Sequence, residues 1–411
     1  MKIAFKTFGC RLNRAEALDM EARLSAAGHS LVPISRDCAV HSAESPDVII
    51  VRGCSVTAKA QSDCEKEIAR LRTNHPHSRI VVTGCLPGAQ PLPQDFLGLA
   101  DAQSNDLAPI PTSSSRAHLK VQDGCSRRCS FCIVPRFRGK SSSVPFADAM
   151  ARARAFLAAG YREIVLTGCN LALYRSEGRG LPELLDAMAS IQTEGTNSSG
   201  HRIRLGSIEP GTCAAETVDV MGRHANVCRF LHLSIQSGSD DVLKSMGRVY
   251  GSAEVRDIVE RAAKSVGPGL ALGADVITGF PGERECDFEA TLALLARPLV
   301  DAPEPYRGMS FTNVHVFPYS ERPGTPAADM PGAVKTATRR ARAKIVSDEA
   351  LKRRRRFAES FAGLDVEVCV EAGGDHGWTG EYLPVRLKRK RERRSLVRVH
   401  VSAVDGDTLH E

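Results

Sequence analysis

Apolar runs of strand length open this chain, and three of them close on the same dipeptide: residues 3–10, 48–54 and 79–85 each end in Gly-Cys. Between the runs, residues 15–27 and 58–73 carry apolar positions at helical spacing. Strands alternating with helices predict a parallel sheet with crossover connections. The carboxyl ends of parallel strands share one edge, where open α/β sheets place ligands, so Cys10, Cys54 and Cys85 are expected to converge although they are distant in sequence. A cysteine at a strand end is also a common small buried hydrophobe. Three in one structural position favour a shared ligand.

The alternation continues from residue 114 to about 320. Strands are predicted at 118–122, 163–167, 202–207, 230–235, 270–277 and 309–317, with helices that include 146–159, 181–191 and 252–266. Six βα units are too few for a full eight-stranded barrel, but a curved partial barrel puts all its strand-end loops on one mouth. The polar motifs fall at those ends: Cys125–Cys132, Leu166–Asn170, Ser207–Pro210, His232–Gly238 and Gly279–Glu283. Residues 333–361 predict one long basic helix. After Gly363, short strands at 365–371, 381–387 and 395–401 suggest a small β-barrel, a common nucleic-acid module. Seams fall near Thr112 and Gly363, with Ser113–Ser115 as a linker.

Charge sharpens the C-terminal reading. Residues 334–395 hold 17 lysines or arginines against nine acidic residues, a net +8, in a chain whose total is +7. A basic segment on a near-neutral body is the footprint of a polyanion binder such as RNA, although solvated basic helix faces are common too. Thirteen cysteines in a chain that starts directly on a strand pattern argue against a disulfide scaffold and for a reducing, cytoplasmic setting. No apolar stretch is long enough to span a membrane.

The segment Gly124-Cys125-Ser-Arg-Arg-Cys129-Ser-Phe131-Cys132 offers three thiolates and no fourth. A structural zinc site wants a fourth Cys or His nearby, and the next cysteine downstream, Cys169, is remote. A cubane [4Fe-4S] cluster held by three thiolates keeps one iron open. The C-x3-C-x2-C spacing resembles the radical S-adenosylmethionine (SAM) enzymes. In these the open iron chelates SAM, and an electron from the cluster splits the sulfonium to a 5′-deoxyadenosyl radical.

With its motifs in order, the chain resembles the tRNA methylthiotransferases over essentially its whole length. The implied fold class is α/β: an N-terminal parallel α/β three-cysteine domain (1–112), a central radical SAM partial (β/α)6 barrel (113–332), a basic linker helix (333–362) and a C-terminal small all-β TRAM-type barrel (363–411). Segments Leu166–Leu171, His315–Thr325 and Gln122–Cys125 look most like the branch acting on threonylcarbamoyladenosine, just 3′ of the anticodon. The resemblance implies two [4Fe-4S] clusters. Cys125, Cys129 and Cys132 hold the SAM-cleaving one, and Cys10, Cys54 and Cys85 hold an auxiliary one that supplies or carries sulfur. One SAM provides the methyl group and a second the radical that abstracts hydrogen from C2 of adenine. Thr167, Gly168, Glu209 and Gln236 match positions lining the SAM mouth, and Phe131 matches an aromatic that packs on adenine. Trp378 and Tyr382 are candidates for base stacking or for a small core. Expected partners are the tRNA anticodon stem-loop and a reductant such as flavodoxin or ferredoxin, with no membrane; the sulfur donor is unassigned.

Departures from the family pattern are Arg52-Gly53 before Cys54, where Asn-Thr is usual, Ser143-Val144 in place of Ser-Arg, and Cys169 in the Thr-Gly-x-Asn strand end. Cys169 is also a candidate oxidation liability. Sister branches modify isopentenyladenosine in tRNA or a ribosomal-protein aspartate and would keep every cluster ligand. A reading from another class, a non-catalytic iron-sulfur RNA-binding protein, gives a structural cluster no reason to leave its fourth iron open.

Overall fold

The computed structural model describes residues 1–34, 45–90, 110–111, 113–192, 200–267, 269–296 and 311–411. Thr112, where a seam is expected, and Met309, within the last expected barrel strand, lie outside them. In the N-terminal domain β1 (Lys2–Thr7), β2 (Val48–Cys54) and β3 (Arg79–Cys85) pair in parallel, with Ser30–Leu31 on the outer edge of β1. Every residue of β2 is buried, as a central strand covered on both faces requires. The crossovers are α1 (Arg11–Ala26) and α2 (Ala58–Asn74), the second capped by Thr57, whose hydroxyl accepts from the Ala60 N–H at 3.1 Å. α1 starts four residues before its expected apolar stripe, with Cys10 as N-cap and Leu12 the one apolar residue of its first turn.

The central region is a six-stranded partial barrel. β4 (Ala117–Lys120), β5 (Glu163–Thr167) and β6 (Arg202–Leu205) form one parallel half, and β7 (Phe230–Gln236), β8 (Ala271–Thr278) and β9 (Phe311–Pro318) form the other. Single bridges, Ile203 to Val227 and Ile208 to Leu233, join the halves. α3 (Phe146–Ala158), α4 (Leu181–Ala189), α5 (Ala214–Arg223), α6 (Ser252–Val266) and α7 (Glu285–Ala296) supply apolar faces that meet outward strand residues such as Leu205, Leu233 and Leu272 in one core. α8 (Thr336–Glu359) packs along β9 and adds Val346. The expected basic linker helix is therefore half structural: Arg339 and Arg342 are buried and ion-paired to Glu321, Glu283 and Glu285.

The N-terminal domain docks on the barrel side between β4 and β9. α1 packs on β4, Asp19 pairs with Arg152 at 3.1 Å, and the Ala58 N–H donates to Ser320 Oγ at 3.0 Å. At the other end, β10 (Asp365–Val370), β11 (His376–Thr379), β12 (Pro384–Arg386), β13 (Leu396–His400), β14 (Ala403–Asp405) and β15 (Thr408–His410) form a small all-β sheet in the order β13-β10-β11-β12-β15-β14. Its core of Val366, Val368, Leu383 and Val401 continues into Phe230 and Ala271 at the start of β7 and β8. It thus sits under the barrel, opposite the mouth. Arg202 and Arg204, both buried, donate to the Trp378, Thr379 and Gly380 carbonyls and share the buried Glu163 carboxylate. Burial alone would push that carboxyl up; the two arginines outweigh it and hold it well below the carboxylate range. Of the expected linker serines, Ser114 and Ser115 are buried as well, with Arg393 on Ser115 Oγ and Arg394 on the Ser114 carbonyl, and only Ser113 is exposed.

Candidate cluster and cosubstrate site

Cys54 and Cys85 are direct register partners at the ends of β2 and β3. Cys10 joins them because Gly9, at φ +93°, lies so close that a Cβ there would stand 2.7 Å from Cys54 Cβ and 2.9 Å from its Sγ. One buried amide braces the group. Asn13 Nδ2 donates to the Phe8 and Gly53 carbonyls at 2.9 Å each, holding the turns that deliver Cys10 and Cys54. A fourth thiol is close but turned away: buried Cys64 accepts from the Cys54 N–H at 3.4 Å and donates to the Cys54 carbonyl at 3.6 Å. Three thiols remain.

The loop 125–132 is built by the same logic. Gly124, at φ +63°, passes so near residue 140 that a Cβ would fall 2.0 Å from the Lys140 carbonyl oxygen. Gln122 is fully buried, and its amide donates to the Asp123 and Gly124 carbonyls and Ser141 Oγ while its oxygen accepts from the Asn170 N–H at 2.8 Å. Sequence reasoning passed over Asn13 and Gln122 as functional residues; their position beside the cysteine turns was the available signal. Cys169 Sγ points to Asp123 Oδ1 at 3.5 Å, so it too is occupied elsewhere.

Each cysteine set carries one arginine. Arg138 Nε donates to Cys85 Sγ at 2.9 Å, while its Nη atoms reach Asn13, Glu16 and Asp123. Asp123 lies two residues before Cys125, so this side chain spans from one set to the loop of the other. Arg248 Nη1 donates to Cys129 Sγ at 3.0 Å and its Nη2 pairs with Glu209 at 2.9 Å. Arg52, one of the departures, explains itself here: it ion-pairs with Glu16, the same carboxylate that holds Arg138. Ser143, another, pairs with Gln122 and accepts from the Arg175 N–H at 2.9 Å. Burial pushes the Cys54 and Cys132 thiols up to about 11 each, so without metal both stay protonated at neutral pH, and any metal taken up by them has to displace those protons.

The expected SAM residues line one mouth with differing freedom. Thr167 is buried at the end of β5, and Gly168 lies against Gln122, where a Cβ would meet Oε1 at 2.8 Å. Glu209 is buried and engaged by Arg127, Arg248 and Asn170. Gln236 ends β7 at φ +62°, and Phe131 is partly buried against a cluster that includes Phe280 and Tyr319. Trp378 and Tyr382 stack on each other with centroids 4.9 Å apart, and Tyr382 stacks on Phe230 at 5.0 Å. They join the sheet to the barrel floor, beneath guanidinium groups of Arg116 and Arg204. Among the described residues, no helix is long and apolar enough to cross a membrane.

A partial barrel with a three-thiol loop at its mouth defines an iron-sulfur enzyme of the radical SAM class; that superfamily matches residues 119–295, and Uncharacterized protein family UPF0004 matches residues 2–99. A tRNA-2-methylthio-N(6)-dimethylallyladenosine synthase of Cereibacter sphaeroides is 32% identical over 91% of this chain and 88% of its own. Threonylcarbamoyladenosine tRNA methylthiotransferases MtaB of Bacillus subtilis and Thermotoga maritima are 30% and 29% identical, over 94% and 90% of this chain and 90% and 86% of theirs. The chain belongs to the radical SAM tRNA methylthiotransferases. Its fold is also that of the solved radical SAM methyltransferase TsrM of Kitasatospora setae, at TM-score 0.53 and 14% identity over 80% of this chain and 77% of that one. The enzyme is a transferase that works on tRNA with SAM and two [4Fe-4S] clusters. Two sets of three thiols, with Cys64 and Cys169 held apart from them, suit clusters that each keep an open iron.

Proposed function

We propose that this protein adds a methylthio group to C2 of N6-threonylcarbamoyladenosine beside the tRNA anticodon. Cys125, Cys129 and Cys132 hold the SAM-cleaving cluster, and Cys10, Cys54 and Cys85 the auxiliary one. When bound, the two clusters and SAM supply a radical strong enough for an unactivated aromatic C–H bond, and the sulfur that replaces the hydrogen. The observation that carries this reading is Arg138, which contacts Cys85 and Asp123 at once and so sets the two thiol sites side by side.

The protein's own side chains position and neutralise. Arg138 and Arg248 each lend positive charge to one thiolate, and Asn13 and Gln122 fix the backbone turns. Thr167, Gly168, Gln236 and Phe131 line the SAM mouth, and Glu209 orients Arg248 there. Exposed Arg386, Lys388, Arg389, Lys390 and Arg398 give the C-terminal sheet its contacts to RNA phosphates. A flavodoxin- or ferredoxin-type protein delivers the electron, in the cytoplasm.

The threonylcarbamoyl branch is supported by segments 122–125, 166–171 and 315–325 and by the relatives named for that nucleoside. Relatives named for dimethylallyladenosine stand at similar identity, so the nucleoside itself is the test. Mass spectrometry of tRNA nucleosides from a deletion strain is expected to show loss of 2-methylthio-threonylcarbamoyladenosine. Its persistence, with loss of the dimethylallyl counterpart or of ribosomal-protein methylthiolation, rejects the assignment.

A further inference from the structure

Midway down the barrel, three polar side chains meet that the cluster chemistry does not use. His232 Nε2 on β7 and His315 Nδ1 on β9 stand 3.0 and 3.1 Å from the same atom, Asp275 Oδ1 on β8, and the imidazole rings are 4.9 Å apart. Their strand neighbours Leu231, Leu233, Leu272 and Ala274 face outward into the helix-covered core, so alternation turns this trio into the lumen. It lies close to the chemistry. Ser234 Oγ reaches Asp275 Oδ2 at 3.4 Å, and the Ser234 carbonyl accepts from Arg248, the arginine on Cys129.

The three groups differ in access. His232 is 2% exposed and Asp275 21%, whereas His315 is 51% exposed. Burial pushes the Asp275 carboxyl up, but the two histidines outweigh it and keep it ionised, hence an acceptor. In the tautomer with Nδ1 donating to Asp275, His315 presents Nε2 to the lumen as an acceptor, with no protein partner among the described residues. Phe317, two positions on along the same face, is 37% exposed. A purine stacked on that ring has its N6 substituent within reach of His315, since two residues along a strand span about 7 Å.

We propose that His315, oriented by Asp275, reads the N6 substituent of the substrate adenosine by accepting a hydrogen bond from a carbamoyl-type N–H or a hydroxyl. A hydrocarbon substituent leaves that acceptor unmet and is disfavoured. The inference rests on the substrate reading above and deepens it.

The test uses full-length protein with both clusters and anticodon stem-loops carrying either threonylcarbamoyladenosine or dimethylallyladenosine. His315→Phe is expected to lower kcat/KM on the carbamoyl RNA by about tenfold or more and to move the preference toward the dimethylallyl RNA, while His315→Gln keeps part of the discrimination. Iron content and the electron paramagnetic resonance change on adding SAM serve as integrity controls. If the wild type prefers the carbamoyl RNA and His315→Phe keeps the same ratio, the inference falls and the function stands. If the wild type prefers the dimethylallyl RNA, the function falls first. The three atoms are also near enough to share a divalent cation. One equivalent of a non-iron metal per chain, lost in His315→Phe, overturns the proposal.

Discussion

The two cysteine sets reach one design by opposite routes. The loop set, Cys125, Cys129 and Cys132, is fixed within eight consecutive residues, whereas Cys10, Cys54 and Cys85 meet only because three parallel strands end in register. Even so, each has a glycine at positive φ before its first cysteine, one buried amide clasping backbone carbonyls and one arginine on one sulfur. The difference lies in what each set depends on. The loop needs its own turn; the strand-end set needs the whole N-terminal sheet, and through Arg138 it also needs the barrel.

Removing a cysteine from each set breaks the comparison most sharply. Cys129→Ala is expected to abolish 5′-deoxyadenosine formation, while Cys54→Ala keeps it but yields no methylthiolated RNA. Iron in each falls from about eight to about four per chain. Loss of both activities in Cys54→Ala would show that the sets do not work separately. Next in size are the arginines. Arg248→Gln should affect SAM cleavage alone, whereas Arg138→Gln should cost about 10–100-fold in product formation and disturb both sites, because it touches Cys85 and Asp123 together. Equal, purely local effects would remove the bridging role.

The glycines test the turns. Gly124→Ala should be worse than Gly9→Ala, since the new Cβ meets backbone oxygen at 2.0 Å in one and side-chain carbon at 2.7 Å in the other; iron retained per set reads the outcome. The smallest expected difference is between Cys54 and Cys132 in metal-free protein. Burial raises both thiols to about 11, so alkylation of each should still accelerate between pH 9 and 11, as thiolate forms only near the raised value. A plateau near 9 for one of them would mean that its site opens without metal.

Convergence of the strand-end cysteines was legible because Gly-Cys closes three parallel strands, and the partial barrel because six apolar runs alternate with helices. Reach across sequence was not. Arg138 is 53 residues from Cys85, and nothing in its own motif says that it turns back to the N-terminal sheet. The His232, Asp275 and His315 trio likewise depends on strand register, which periodicity leaves open. In the C-terminal region, charge counting overstated the free basic surface, since Arg339, Arg342, Arg393 and Arg394 spend theirs on carboxylates, carbonyls and hydroxyls. The strands β11, β14 and β15 are only three or four residues long, too short for alternation to register.

The sheet beneath the barrel has a consequence beyond its proposed hold on RNA. Among the described residues, Tyr382 and the Glu163 ion-pair layer lie across the lower end of the tube, so the reaction vessel is stoppered on the side opposite the clusters. Amputating the tail would therefore uncork the vessel as well as loosen the proposed grip on RNA, letting solvent rise from below into a space where a free radical must survive long enough to find its target.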